Sequence, residues 1–404
     1  PLRRRARRTA GPAYPGRPTA VVVGMTLTYP SAGVNRPTST SYFRRLDWLL
    51  VGAALALSII GSLLVWSATQ GKLVETGGDP EQFLKKHLLN LVVGIAFAVL
   101  ISRFDYRLLR AYTPILWGAS ILGLLVVLSP LGRTVNGAHA WIFLPGGLSI
   151  QPSEFAKVAI ILGMSMILSE KRDAENEPRD IDVLYALGVA AVPVALIMLQ
   201  PDLGTVMVIA CMVFGIIAVS GAKARWLVGI LAAGILVALL AVQLGILKQY
   251  QVDRLTAFTN PTANSRDIGY NTQQARIAIG SGGMLGTGLF NGPQTQGRFV
   301  PYNQTDFVYS VAGEELGFAG AGAIIALLGL ILWRAVRIAL RAADLFGRLV
   351  ATGVAVWIAF QAFENIGMNL GIMPVTGVPL PFVSYGGSSM FASWLAIGLL
   401  LNVH

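Results

Sequence analysis

Asp306, Glu154 and Lys157 are the charged residues whose settings ask for chemistry. Asp306 lies in QTQGRFVPYNQTDFVYSVAGEELGF, Gln294 to Phe318, a polar stretch in a chain that is otherwise mostly hydrocarbon. There a long loop gives way to an apolar run, with Glu314 and Glu315 expected on that helix's first turns. A carboxylate at membrane depth is expensive and marks function by default. The competing reading is that Asp306 only begins a helix and meets its free backbone amides. Glu154 and Lys157 stand three apart in QPSEFAK, on one face of a helix that Pro152 can open because its missing N–H loses nothing there. They read either as a helix-end ion pair or as a site shared with Arg133, Asn136 and Trp141 just upstream.

Two further stretches carry polar groups without a legible reaction. The loop before Asp306 holds Arg254, Arg266, Tyr270, Gln274, Arg276 and Arg298, then IAIGSGGMLGTGLFNGP from Ile277 to Pro293. Glycines at this density allow anion-cradling turns, but the spacing is no Walker or dinucleotide fingerprint, and a re-entrant or interfacial hairpin is an equal reading. The arginines make the stronger anion case, since a guanidinium grips a phosphate by two bonds. NIGMNLGIMPVTGVPLPFVSYGGSSM, Asn365 to Met390, is uncharged; its Ser384 and Ser388 have no histidine to activate them and read as a rigid turn lining a cavity. Glu364 precedes it as a candidate buried carboxylate, and Gln200 and Asp202 read as caps of the following helix.

The elements that must position these groups are membrane helices. Of 404 residues 54% are hydrophobic and 13% charged, with mean hydropathy +0.63, outside the range of ordinary soluble domains. One cysteine, Cys211, excludes an intrachain disulfide, and three histidines leave little room for a His-ligated metal or a Ser-His-Asp triad. The net charge of +11 is concentrated at the start, where nine basic residues precede Asp47, and its partner is the anionic inner leaflet rather than nucleic acid.

Residues 1–43 read as a disordered basic cytoplasmic tail without a signal-peptide core, with Met25 a candidate start. Residues 44–404 read as an all-α polytopic membrane domain of about ten spans. These are placed at 47–69, 87–102, 111–129, 154–169, 183–200, 203–220, 227–246, 308–333, 349–370 and 386–403. The distribution of Lys and Arg puts both termini in the cytoplasm and exports three segments, 130–153, 247–307 and 371–385, expected to meet on the outer face. The long extracellular loop, 247–307, joins the seventh and eighth spans.

QPSEFAK, QTDF with EELG, and PVTGVPLPFVSYGGSS, in this order and with this number of spans, resemble the SEDS family of cell-wall proteins from about Asp47 to the end. PVTGVPLPF is similar to the elongation branch more than to its division relative. The resemblance implies a peptidoglycan glycosyltransferase of the bacterial cytoplasmic membrane that polymerises lipid II on the extracytoplasmic face. Its implied partners are a class B penicillin-binding protein transpeptidase and the membrane proteins of the elongation complex. It implies Asp306 as the catalytic carboxylate, with Glu154 and Lys157 as further catalytic candidates. Arg133, Trp141, Arg254, Gln274, Arg298, Glu314 and Ser384 are the substrate-binding candidates. Family members often carry His where Gln304 stands, which sets aside a proton-sharing role there. No cofactor or metal site is legible from spacing; a divalent cation, Mg or Mn, stays open as an aid to the leaving pyrophosphate. A transporter flipping the lipid-linked precursor is the alternative from another class, and its signature would be broken helices in paired repeats with charges at the midplane.

Overall fold

Apolar runs of 17 to 28 residues leave the backbone no partner in lipid but itself, so helices dominate the computed structural model. It describes residues 46–75, 78–104, 106–135, 138–143, 149–170, 177–245, 251–252, 254, 258 and 268–404. The tail 1–43, Asn136 and Arg266 lie outside the described residues. Among them the helices are α1 (Trp48–Glu75), α2 (Gln82–Arg103), α3 (Tyr106–Leu128), α4 (Pro152–Leu168), α5 (Asp180–Leu199), α6 (Leu203–Val219) and α7 (Ala224–Gln243). They continue with α8 (Ile268–Ser281), α9 (Pro293–Gln296), α10 (Val308–Glu315), α11 (Gly317–Arg341), α12 (Leu345–Leu370) and α13 (Gly387–Val403).

Seven helices, α1, α2, α3, α5, α7, α11 and α12, are long and apolar enough to cross a bilayer; α6 and α13 are shorter apolar helices. The chain is a multi-pass membrane protein. The 17-residue α4 and α13 are buried along most of their length, whereas α7 has no buried residue. A helix surrounded by other helices need not match the hydrocarbon thickness, and it can carry an ion pair that lipid would reject. That is where Glu154 and Lys157 sit. At the other end of the bundle, Asp47 caps α1 through the Leu50 N–H (3.1 Å) and pairs with Arg334 of α11 at 2.6 Å.

Two findings correct the expected elements. The segment 130–153, in a chain expected to be all-α, carries among its described residues a small antiparallel sheet, β1 (Arg133–Val135), β2 (Ala138–Phe143) and β3 (Ser149–Ile150), in the order β1-β2-β3. The β-branched and aromatic side chains of RTV and AHAWIF suit such ribbons. The expected span 308–333 is two helices, broken at Leu316 and Gly317, and Glu314 and Glu315 end the first of them rather than starting a continuous one.

The glycine-rich segment explains the break. Thr287 and Gly288 donate their N–H groups to the carbonyls of Glu314 and Glu315 at 3.0 Å each, while Phe318 and Ala319 donate to Gly283 (2.9 Å) and Met284 (3.0 Å). The backbone groups that a broken helix loses are thereby satisfied. Gly317 and Gly286 have φ of 67° and 83°, and a Cβ on either would overlap the backbone of the facing segment. This backbone holds the break rather than cradling a phosphate. Glu314 braces the same segment: its carboxylate accepts the N–H groups of Gln294 (2.6 Å) and Thr295 (2.9 Å) and the Thr295 hydroxyl (2.6 Å). Glu315 accepts the Ser67 hydroxyl of α1 at 2.6 Å.

Candidate active site

Residues of the three segments expected on the outer face converge on a cavity of ≈ 190 Å³. Trp141, Gln151 and Glu154 line it from the first segment and the start of α4. Arg254, Tyr302, Thr305 and Asp306 come from the long loop, and Thr376 to Pro379, Tyr385 and Gly386 from the last. Pro201 and Asp202 close it from the α5–α6 link, with Leu203 and Thr205 from the first turn of α6.

The backbone leading to Asp306 is fixed residue by residue. Tyr302 adopts φ 55°, and its carbonyl accepts the N–H groups of Thr305 (3.1 Å), Asp306 (3.1 Å) and Phe307 (3.3 Å). The Gln304 carbonyl accepts the Tyr385 N–H at 2.9 Å, and the Thr305 carbonyl accepts the Ser384 hydroxyl at 2.6 Å. The Asp306 carbonyl accepts two amides, Asn365 Nδ2 at 3.0 Å and Asn369 Nδ2 at 3.1 Å, from successive turns of α12. Both asparagines are fully buried. Asn365 also donates to the Val378 carbonyl at 2.8 Å, and Asn369 Oδ1 accepts the Ser310 N–H at 3.1 Å. One helix thus ties the carboxylate's backbone to the turn that lines the opposite wall.

That leaves the carboxylate facing the cavity. Gly377 passes beside it with φ 79°, and a Cβ there would stand 3.4 Å from Asp306 Oδ2. The N-cap of α10 is Phe307, and no side chain makes a cap bond, so the helix-starting reading of Asp306 does not describe its role. Burial pushes the Asp306 carboxyl up to about 6, against the opposing pull of the Arg254 guanidinium and the Thr305 hydroxyl. Arg254 is itself oriented by Nη1 donating to the Thr376 carbonyl at 2.9 Å.

Glu154 and Lys157 meet as their spacing requires, with Nζ 2.7 Å from Oε1. Lys157 is 1% exposed; it also donates to Gln361 Oε1 at 2.8 Å and lies 4.6 Å from the centroid of the Trp357 ring. Gln361 in turn donates to the Pro379 carbonyl at 2.8 Å. Lys157 therefore stands behind Glu154 rather than in the cavity wall. Glu154 Oε2 has no hydrogen-bond partner among the described residues, which leaves an acceptor for a bound hydroxyl or water.

The remaining candidates separate by what they touch. Trp141 and Arg254 line the cavity with Asp306 and Glu154. Arg133 is exposed on β1, and Gln274 is half-buried on α8, neither lining that cavity. Arg298 Nη2 donates to the Gly71 carbonyl at 3.0 Å, tying the loop to the end of α1. Ser384 supports Thr305 from below and accepts the Leu380 N–H at 2.8 Å. Asp202 caps α6 through the Thr205 N–H at 3.1 Å, and also accepts Gln151 Nε2 at 3.1 Å within the cavity wall. Sequence reasoning passed over Asn365, Asn369 and Gln361. Amides one turn apart inside an apolar span were the available signal, because such groups need a partner in the membrane. Among the described residues no group of three or more His, Cys, Asp or Glu is placed to hold a metal ion.

The family model for the cell cycle proteins FtsW, RodA and SpoVE matches residues 47–404. The chain belongs to this family. A Trichlorobacter lovleyi protein named probable peptidoglycan glycosyltransferase FtsW is 36% identical over 358 residues, covering 88% of this chain and 92% of that one. Stage V sporulation protein E of Bacillus subtilis is 39% identical over 362 residues, covering 88% and 96%. Among solved structures, Thermus thermophilus rod shape determining protein RodA is 33% identical with TM-score 0.64, covering 89% of this chain and 96% of that one. A chain from a structure described for coordination of polymerization and crosslinking by a peptidoglycan synthase complex is 34% identical with TM-score 0.72, covering 89% and 97%.

Proposed function

We propose that this chain is a peptidoglycan glycosyltransferase that polymerises lipid II into β-1,4 glycan strands on the outer face of the cytoplasmic membrane. The observation that carries the reading is a near-neutral carboxylate, Asp306, held by two buried amides at a cavity it shares with Arg254 and the free oxygen of Glu154. A general base works best when its pKa lies near the working pH, and burial brings Asp306 there. In the proposed step Asp306 takes the proton of the acceptor sugar's 4-hydroxyl as that oxygen attacks the donor's anomeric carbon. The bond from that carbon to the diphosphate breaks, and its electron pair leaves with undecaprenyl pyrophosphate. Arg254 faces the charge that develops, while Trp141 and Tyr385 offer flat apolar walls to the sugars.

A class B penicillin-binding protein as the crosslinking partner is supported by the synthase complex among the structural neighbours. The elongation role rests on PVTGVPLPF and the RodA neighbour; relatives named FtsW and stage V sporulation protein E keep a division or sporulation role as the other outcome. The transporter reading loses ground to the helix break, since the freed backbone there is bonded to the glycine-rich loop and does not line the cavity.

The purified chain, incubated with lipid II and a cognate partner whose transpeptidase serine is disabled, is expected to yield a ladder of glycan chains on a gel. A preparation that flips the precursor across vesicles and makes no chains would move the reading to transport. Asn369→Ala should lower kcat about tenfold to a hundredfold, because a carboxylate displaced by an ångström loses its reach. Stopped-time product assays check this, and an unchanged kcat would show that Asp306 is held without that amide.

A further inference from the structure

A second cavity, of ≈ 480 Å³, adjoins the first and has a different character. Arg254, Thr272, Gln273 and Arg276 face it from the long loop and α8, and Gly371 and Met373 to Val375 from the segment after α12. Its described lining holds two guanidiniums and no carboxylate, whereas the Asp306 cavity has Arg254 as its one described cation against Asp306, Glu154 and Asp202. Arg276 is exposed, its stem crosses Gly371, and no ion pair or hydrogen bond engages its guanidinium among the described residues. The two cavities share Arg254, and residues 373–379 run from the wall of one into the wall of the other.

Resting on the glycosyl-transfer reading, we infer that the Arg254/Arg276 cavity is the diphosphate station for the leaving lipid-linked product. The chemistry calls for such a place. When the donor's anomeric carbon bonds to the acceptor oxygen, the diphosphate oxygen takes the electron pair of the broken bond and the proton goes to Asp306. The departing group is then an anion beside the Glu154 and Asp202 carboxylates and the newly protonated Asp306. A neighbouring cavity with no carboxylate in its described lining, reached through a shared arginine, lowers the energy of that anion and draws it off the reaction centre. Two guanidiniums on different elements fit two phosphates, each by paired N–H donors. Thr272 and Gln273 add neutral hydrogen-bonding groups on the same helix.

The test compares the partner-bound wild type with Arg276→Gln and Arg276→Lys, adding undecaprenyl pyrophosphate or inorganic pyrophosphate as inhibitor. Undecaprenyl pyrophosphate should inhibit the wild type, and Arg276→Gln should raise its inhibition constant about tenfold, with Arg276→Lys in between. Inorganic pyrophosphate should share the Arg276 dependence at much higher concentration, which separates a lipid headgroup from a free anion of the same chemistry. A shift for inorganic pyrophosphate alone would overturn the lipid-linked assignment. Unchanged inhibition by both, in preparations that still make glycan chains, would overturn the station itself. Absence of chains from the wild type would strike the transfer reading instead.

Discussion

Asp306→Asn should abolish chain formation, lowering the polymerisation rate by about 10³ to 10⁴, the upper range for loss of a positioned base. The substitution keeps the shape of the side chain, and the Asn365, Asn369 and Tyr302 bonds that brace this residue are made to its backbone carbonyl or N–H. The fold is therefore expected to survive, with a thermal midpoint close to the wild type. In the wild type the rate should rise with pH through about 6, as the carboxyl gives up its proton, and level off above it. The sign for stability is the reverse. A carboxyl raised in the folded state contributes most below its unfolded pKa near 4, and that contribution is lost as pH rises through about 6. The site is therefore best populated with base where this group no longer supports the fold. A rate flat from pH 5 to 8, or an active Asp306→Asn protein, would remove Asp306 from the role of base.

Much of this arrangement is legible in the sequence, and the parts that are not share a cause. Hydropathy marked the chain as a polytopic bundle of apolar helices, and the i, i+3 spacing of Glu154 and Lys157 paired them, because each is a local property of the chain. The split of the expected 308–333 span was hidden because its cause lies some 30 residues upstream, in Thr287 and Gly288, whose N–H groups meet the freed carbonyls, and in Gly283 and Met284, whose carbonyls accept the freed N–H groups. Glu314 and Arg298 looked like site residues for a similar reason. A charged side chain in a polar loop reads the same whether it faces substrate or bonds the carbonyl of Gly71, 227 positions away. Asn365 and Asn369 were overlooked in the opposite direction, as polar residues in a helix whose partner, the Asp306 carbonyl, only tertiary structure supplies.

The second large effect concerns Lys157. Lys157→Met keeps the length of the side chain and its contact with Trp357, but leaves the Glu154 carboxylate in a 1% exposed position without its cation. Removing one partner of a buried pair typically costs about 3 to 5 kcal/mol, since the remaining charge has lost its counter-ion. Lys157→Met is expected to lose most of its folded population on mild heating in detergent and to make no glycan chains. Glu154→Gln/Lys157→Met should recover most of the lost stability, because a neutral amide and a thioether leave no buried charge uncompensated. The coupling energy from this cycle measures the pair, and the activity of the double variant assigns its purpose. A stable, inactive double variant would show that the Glu154 carboxylate acts in the cavity through its unpartnered Oε2, with Lys157 holding it in place. A stable, active one would reduce the pair to a helix-packing device behind the wall, leaving Asp306 and Arg254 to carry the reaction.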